Sequence, residues 1–403
     1  MADLRGASRL AIAAVTGITD LVEEMHRNIA GAAPPVGRAP AGRTRGITGL
    51  VYGSVRGVTR TVGLGLDTAL AALGAVIGRT RSWPQREAVV AALNGVLGDT
   101  LAASANPLAI TMCLRRAGKA LELRREALAA ALPDASGRLL VLVHGLCMND
   151  LQWRRDGHDH GAVLARELDA TALYLHYNSG LNISENGREF AALLQRLIDQ
   201  WPVEVRELVI IGHSMGGLVA RSACHQAVGA RHGWRRLLEA MVFLGTPHHG
   251  AALERAGNRF NFMLGISPYT APFTRLGGIR SAGIRDLRHG NLLDSDWQQP
   301  AQGRARNSRT AVPLPARVRC HVVAATLSAP SARDPVRLRG DGLVSVASAL
   351  GMGEDVARQL GIPASRRSVS FNTGHFDLLA SLAVCRTMGA WLAKGNRSTS
   401  DGH

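Results

Sequence analysis

The segment Glu207–Gly217, reading ELVIIGHSMGG, constrains most tightly what this chain can become. Its first half is an apolar run of the kind that forms a strand. Its second half sets Ser214 between Gly212 and Gly216 and leads into Met215–Val228, a helical pattern. A strand that passes into a helix through a single residue needs a sharp turn, and small neighbours give that turn its room. The serine hydroxyl then stands above the sheet at a helix N-terminus, where developing negative charge is favoured. This is the context a Gly-x-Ser-x-Gly nucleophile turn requires.

The chain splits near residue 135. Downstream, short apolar runs at Arg138–His144, Ala172–His176, Glu207–Gly212, Ala240–Gly245, Val318–Thr326 and Ser368–Phe371 alternate with helical stretches such as Glu185–Gln200. That alternation predicts an α/β fold, a mostly parallel sheet with flanking helices. The unbroken run Leu139–Val143 marks a strand covered on both faces.

Upstream, residues 1–134 read as an N-terminal helical region. In Arg9–Ile29, the residues Ile12, Val15, Ile18, Val22, Met25 and Ile29 share one helical face. Gly31 and Pro34-Pro35 end that helix, and a Gly/Arg/Pro linker over about 31–46 follows. Another helix is predicted from Ser82, with Gln85 at capping-box spacing and Pro84 in the first turn. A further one is predicted over about Leu108–Leu132, ended by the turn Pro133–Gly137. Between these, Ile47–Gly78 is apolar and glycine-rich, and Asp67 is the sole charge between Arg60 and Arg79. Three readings of it stay open: a helical pair packed on the downstream region, a membrane-surface element, and a membrane span.

The formal charge of +16 would suit a nucleic-acid binder. The basic residues are nearly all Arg, with Lys119 and Lys394 the only lysines, and they are scattered. A solvated Arg-rich surface is therefore expected rather than a nucleic-acid site, with peripheral contact to anionic lipid as the rival. Five cysteines with no Cys-x-x-Cys argue against a disulfide framework and a zinc site. Asp3 and the absence of a cleavage pattern after Leu10–Ile18 argue against a signal peptide. The expected location is cytoplasmic, with association at a membrane surface as the alternative. No P-loop, dinucleotide glycine fingerprint, His-Glu-x-x-His or EF-hand loop occurs, so no cofactor and no metal is implied. Oligomeric state has no signal in the sequence.

Three further motifs follow strands. Val143-His144-Gly145-Leu146 ends the first run, Gly340-Asp341-Gly342-Leu343 lies beyond His321–Thr326, and Asn372-Thr373-Gly374-His375-Phe376 follows Ser368–Phe371. With the Ser214 turn they stand in the order Ser, Asp, His. Over about residues 138–394 the chain resembles the α/β-hydrolase superfamily. It is most similar to the lipase and serine esterase branches, including the group similar to GPI inositol-deacylases.

The resemblance implies a serine hydrolase that cleaves carboxylic esters, whether small molecules or lipids, through an acyl-enzyme. Ser214 would be the nucleophile, His375 the base, and Asp341 the acid that orients it. Asp334 is a rival on the same connection; Asp341 is favoured because its flanking glycines allow a sharp inward turn. The His-Gly turn implies an oxyanion hole from the backbone N–H groups of Leu146 and Met215. Cys147 and Met148 depart from the lipase His-Gly-Gly-Gly pattern, and Cys147 reads as a packing residue.

His144 and His248 are weaker pocket candidates. So are Phe260 and Phe262, which fall in an excursion at about 251–315 read as a cap over a catalytic domain spanning 135–398. Acyl transfer or peptide cleavage on the same residues is the alternative reaction. A non-catalytic membrane-associated protein is the alternative class.

Overall fold

The computed structural model describes residues 84–251, 281–298, 309–330, 340–353 and 356–393. The predicted helix Arg9–Ile29, the linker 31–46, the apolar Ile47–Gly78 and the residues Phe260, Phe262 and Asp334 lie outside the described residues. The chain divides into two compact units, Met1–Trp83 with Leu101–Ala109 and Pro84–Thr100 with Ile110–His403. In the first, the described part is Leu101–Ala109, a helix end closed by a turn. There Asn106 Oδ1 accepts from Leu108 N–H at 2.9 Å, and Asn106 N–H donates to Leu101 O at 2.9 Å.

In chain order the elements are α1 (Pro84–Ala103), β1 (Cys113–Arg116), β2 (Lys119–Ala120), α2 (Arg125–Ala131) and β3 (Arg138–Val143). A small hairpin of β4 (Arg154–Arg155) and β5 (His158–Asp159) follows, then α3 (His160–Glu167), β6 (Thr171–His176) and α4 (Ile183–Gln200). Next come β7 (Glu207–His213), α5 (Met215–Gly229), β8 (Leu238–Leu244), α6 (Ala282–His289) and α7 (Asp294–Gln298). The chain closes with β9 (Arg319–Ala325), α8 (Val346–Ala349), β10 (Arg367–Ser370) and α9 (Leu382–Ala393).

Among the described residues eight strands form one sheet in the order β10-β9-β8-β7-β3-β6-β1-β2. The strands from β10 to β6 run parallel, and β1 joins β6 antiparallel. Every residue of β3 and β6 is buried, because helices cover both faces. Side chains alternate accordingly. Leu139, Val141, Val143, Ile210 and Phe243 join one core with Phe190 and Leu194 of α4 and Leu218 and Val219 of α5. Leu140, Leu142, Val209, Ile211 and Val242 join the other with Leu164 of α3 and Met388 and Leu392 of α9. From β3 the chain goes first to β6 on one side and then to β7 on the other. The strand order thus reverses between β3 and β7, where the carboxyl ends of an open α/β sheet leave a crevice.

The helix predicted over Leu108–Leu132 is corrected by this structure: the stretch holds β1, β2 and the short α2. Ala117 (φ 50°) and Gly118 (φ 74°) form the two-residue loop between the paired Arg116 and Lys119. Two successive left-handed residues match the twist of a tight hairpin and cannot continue a helix. The sheet therefore begins upstream of residue 135, inside the stretch read as helical.

α1 is apolar around much of its circumference, with Ala91, Ala92, Leu93, Val96 and Leu97 all buried. Its glycines let loops of the sheet approach the helix backbone. Asn178 Nδ2 donates to Gly98 O at 2.9 Å, and Ser281 Oγ donates to Gly95 O at 2.7 Å. A Cβ on Gly95 would lie 2.3 Å from Cys147 Sγ and 2.8 Å from Cys147 Cα, whereas one on Gly229, at the end of α5, would meet nothing within 4 Å. Gly95→Ala is therefore expected to lower stability by about 1–3 kcal/mol, as overpacking does. Gly229→Ala should be neutral or stabilising by up to about 1 kcal/mol. Urea midpoints of the two variants check the contrast.

Candidate functional site

Strand β7 ends at His213, and Ser214 takes φ 52° and ψ −124° before α5 begins at Met215. A non-glycine residue at positive φ is strained and persists where its surroundings over-determine it. Those surroundings are glycine. A Cβ on Gly216 would lie 2.2 Å from Val143 O, and one on Gly212 would lie 2.6 Å from Gly217 Cα, so strand and helix close on each other only without side chains there. Ser214 N–H donates to Leu244 O at 2.8 Å, tying the turn to the next strand.

Asp341 and His375 meet at this end of the sheet. Asp341 Oδ2 lies 2.7 Å from His375 Nδ1, and both residues are 4% exposed. The other carboxylate oxygen accepts from Leu343 N–H at 2.9 Å and Val344 N–H at 2.8 Å. Because a carboxylate accepts, Nδ1 carries the ring proton and Nε2 is left as the basic nitrogen. The loop is held by its backbone too: His375 N–H donates to Asp341 O at 3.1 Å, and His213 Nε2–H donates to His375 O at 3.1 Å. Ser214, His213 and His375 line one cleft with Leu146, Met148, Gln152, Leu343 and Phe376. The Ser214 hydroxyl makes no hydrogen bond to a described residue; such bonds are often long before substrate arrives.

The loop after β3 passes beside the serine, since a Cβ on Gly145 would lie 3.1 Å from Ser214 Cβ. Cys147 N–H is engaged by Ser179 Oγ at 3.1 Å and Met148 N–H by Gly145 O at 3.3 Å. Leu146 N–H has no acceptor among the described residues, and Met215 opens α5, where first-turn amides lack intrahelical partners. Burial pushes the Cys147 thiol up to about 12, which keeps it protonated and in a packing role.

Two weaker candidates are not in this cleft. His144 is wholly buried behind it, its Nδ1–H donating to Gly145 O at 2.9 Å and its ring stacked on Tyr177 at 4.3 Å. It is framework, because the strand end turns its side chain into the core. His248 is 3% exposed, lies 3.3 Å from Arg221 through Nδ1, and lines a different cavity. Met148, Gln152, Leu343 and Phe376 also line the cleft; adjacency to the three motif loops around His144, Asp341 and His375 is the signal in the sequence that points to them. Among the described residues His158, His160 and Cys385 bring ligand atoms within 4.8 Å of one another. Their rings are already engaged: His158 Nε2 bonds His160 Nδ1 at 2.8 Å, and His160 Nε2 bonds Leu378 O at 2.8 Å. The group reads as a satisfied core cluster. No described helix is long and apolar enough to cross a membrane.

Residues 134–314 match the family described as the PGAP1-like alpha/beta domain. No curated protein matches this chain. Among solved structures, Bacillus licheniformis lipase BlEst2 in its mature form is similar at 17% identity and a TM-score of 0.41, over 64% of this chain and 91% of that one. Pyrococcus furiosus esterase PF2001 is similar at 12% identity and a TM-score of 0.39, over 65% of this chain and 83% of that one. The ester-hydrolase EH1AB1 from the metagenome of Lake Arreo, complexed with a bipyridine phosphonate derivative, is similar at 14% identity and a TM-score of 0.39, over 66% and 77%.

Desolvation lowers His144 to about 3 and His160 to about 4. Both rings stay neutral in the folded chain, while the unfolded chain takes up protons below about pH 6.5. The stability they lend is complete above that pH and is lost as pH falls toward the folded values. At pH 5 the loss is about 2 kcal/mol per ring as an order of magnitude. The urea midpoint should therefore fall between about pH 7.5 and 5, and His144→Gln should show a shallower dependence.

Proposed function

We propose that this chain, an α/β-hydrolase with a PGAP1-like alpha/beta domain over residues 134–314, cleaves carboxylic esters through an acyl-enzyme formed on Ser214. The observation that carries the reading is the 2.7 Å contact from Asp341 Oδ2 to His375 Nδ1 beside a strained serine in the same cleft. In this reading the machinery falls within residues 135–398.

Asp341 holds His375 in the tautomer whose Nε2 is free to take the Ser214 proton. Ser214 Oγ attacks the ester carbonyl, and the tetrahedral oxyanion forms opposite the N–H groups of Leu146 and Met215. Each donor aimed there is worth about 3–4 kcal/mol to the transition state. His375 then protonates the departing alcohol, and water, deprotonated by the same ring, releases the acid. The apolar lining from Leu146, Met148, Leu343 and Phe376 suits an acyl chain better than a charged substrate. These groups do not themselves choose water over another acceptor, so an alcohol acceptor would give acyl transfer by the same steps.

Ser214→Ala should bring p-nitrophenyl ester hydrolysis down to background while the far-UV circular dichroism stays unchanged. Asp341→Asn should lower kcat by about 10⁴, because an amide presents the wrong partner to Nδ1. Steady-state kinetics on both variants decides: turnover within about tenfold of wild type in either one overturns the assignment.

A further inference from the structure

The polar side chains lining the Ser214 cleft are those of Ser214, His375, His213, Cys147 and Gln152. Ser214 and His375 belong to the proposed reaction. His213 Nε2–H is committed to His375 O at 3.1 Å. The Cys147 thiol packs against Gly95 of α1. Gln152 remains, half-buried, on the wall formed by the loop after β3.

Gln152 lies in the 3-10 turn Asp150–Trp153, which Asn149 caps. Asn149 Oδ1 accepts from Gln152 N–H at 3.2 Å, and Gln152 Oε1 accepts from Asn149 N–H at 2.9 Å, a reciprocal capping box. A backbone N–H only donates, so the amide atom facing it is the oxygen, and the orientation of the amide is settled. Nε2 stands on the other side with two hydrogens, and it makes no hydrogen bond to a described residue. The turn itself is pinned on both flanks. Asp150 Oδ1 accepts from Arg115 Nη1 at 3.2 Å and lies 3.3 Å from His176 Nδ1, and Trp153 is fully buried. A surface glutamine gives up side-chain freedom when it pairs; Gln152 has given it up already, so its donor is preorganised.

We propose that Gln152 Nε2 is a specificity-determining contact to substrate, and that the esters this cleft prefers carry a second, uncharged oxygen, an ether or a hydroxyl, close to the scissile carbonyl. The inference rests on the hydrolase reading and narrows its substrate class. An amide –NH2 donates and cannot accept, so it selects oxygen over methylene at the position it faces. A plain alkyl chain there displaces water from the amide and returns no acceptor, whereas an ether or hydroxyl oxygen replaces that water. The oxygen is uncharged because Met148, Leu343 and Phe376, which line the same cleft, are apolar.

Two matched ester pairs test it on the full chain. In p-nitrophenyl methoxyacetate against p-nitrophenyl butyrate, oxygen replaces a methylene in the acyl part; in 2-methoxyethyl acetate against butyl acetate it does so in the alcohol. The readout is the oxygen-over-methylene ratio of kcat/KM in wild type divided by that ratio in a variant, which cancels the intrinsic reactivities of the esters. Gln152→Glu keeps an acceptor for Asn149 N–H and removes the Nε2 donor, whereas Gln152→Met removes both. In at least one pair the ratio is expected to fall by about threefold or more in both variants, and the pair that responds tells whether the oxygen belongs to the acyl or the alcohol part. A smaller fall in Gln152→Glu for both pairs leaves Gln152 a helix cap and overturns the inference. A smaller fall in Gln152→Met for both pairs overturns it as well, because any effect of Gln152→Glu is then repulsion by the new carboxylate. Absence of wild-type turnover on all four esters overturns the hydrolase reading and this inference together, whereas turnover with unmoved ratios overturns the inference alone.

Discussion

The close passage between strand β7 and helix α5 governs how the loops at this end of the sheet can be arranged. Ser214 holds a left-handed backbone there because Gly212, Gly216 and Gly217 let the helix start against the carbonyls of β3 and the backbone of its own strand. Side chains at those positions would push the helix off the sheet, and the serine would relax toward an ordinary conformation. The adjoining loops are arranged around this fixed point. Gly145 lies against Ser214 Cβ, Gly245 backs the His375 ring, and the Asp341 loop folds its own amides onto one carboxylate oxygen so that the other faces the imidazole.

The parts of this arrangement that could be read in the sequence are those with a local physical cause. Strands such as Leu139–Val143 and Leu208–Ile211 are apolar without interruption because helices cover both faces of the sheet. That Asp341 and His375 would stand on loops at the same end of the sheet as Ser214 was legible because each follows a strand. The misread stretch Leu108–Leu132 shows the opposite case. Its composition favours a helix, but Ala117-Gly118 makes a hairpin, and β1 gains its hydrogen bonds from β6, some sixty residues away in sequence. Such pairing is tertiary and leaves no local periodicity. His144 and His248 stand in the expected turns, yet one packs on Tyr177 and the other on Arg221, and only the fold decides which way a ring points.

Helix α5 carries two unlike polar groups along its length, the strained Ser214 at its start and the buried Arg221 two turns on. Ser214 stands beside the amides of the helix N-terminus, where negative charge is favoured. Farther along, Arg221 brings a buried positive charge to a cavity built from the β8 end, the segment before β9 and residues of the β9–β10 connection.

The central claim is that Ser214 is an activated nucleophile. Peptide mass spectrometry after brief treatment with a fluorophosphonate addresses it directly, because the reagent leaves a stable adduct on the oxygen that attacked. The account predicts one adduct, on Ser214, with labelling sharply slowed in His375→Ala. An adduct on another residue, or Ser214 labelling at an unchanged rate without the His375 imidazole, would contradict it.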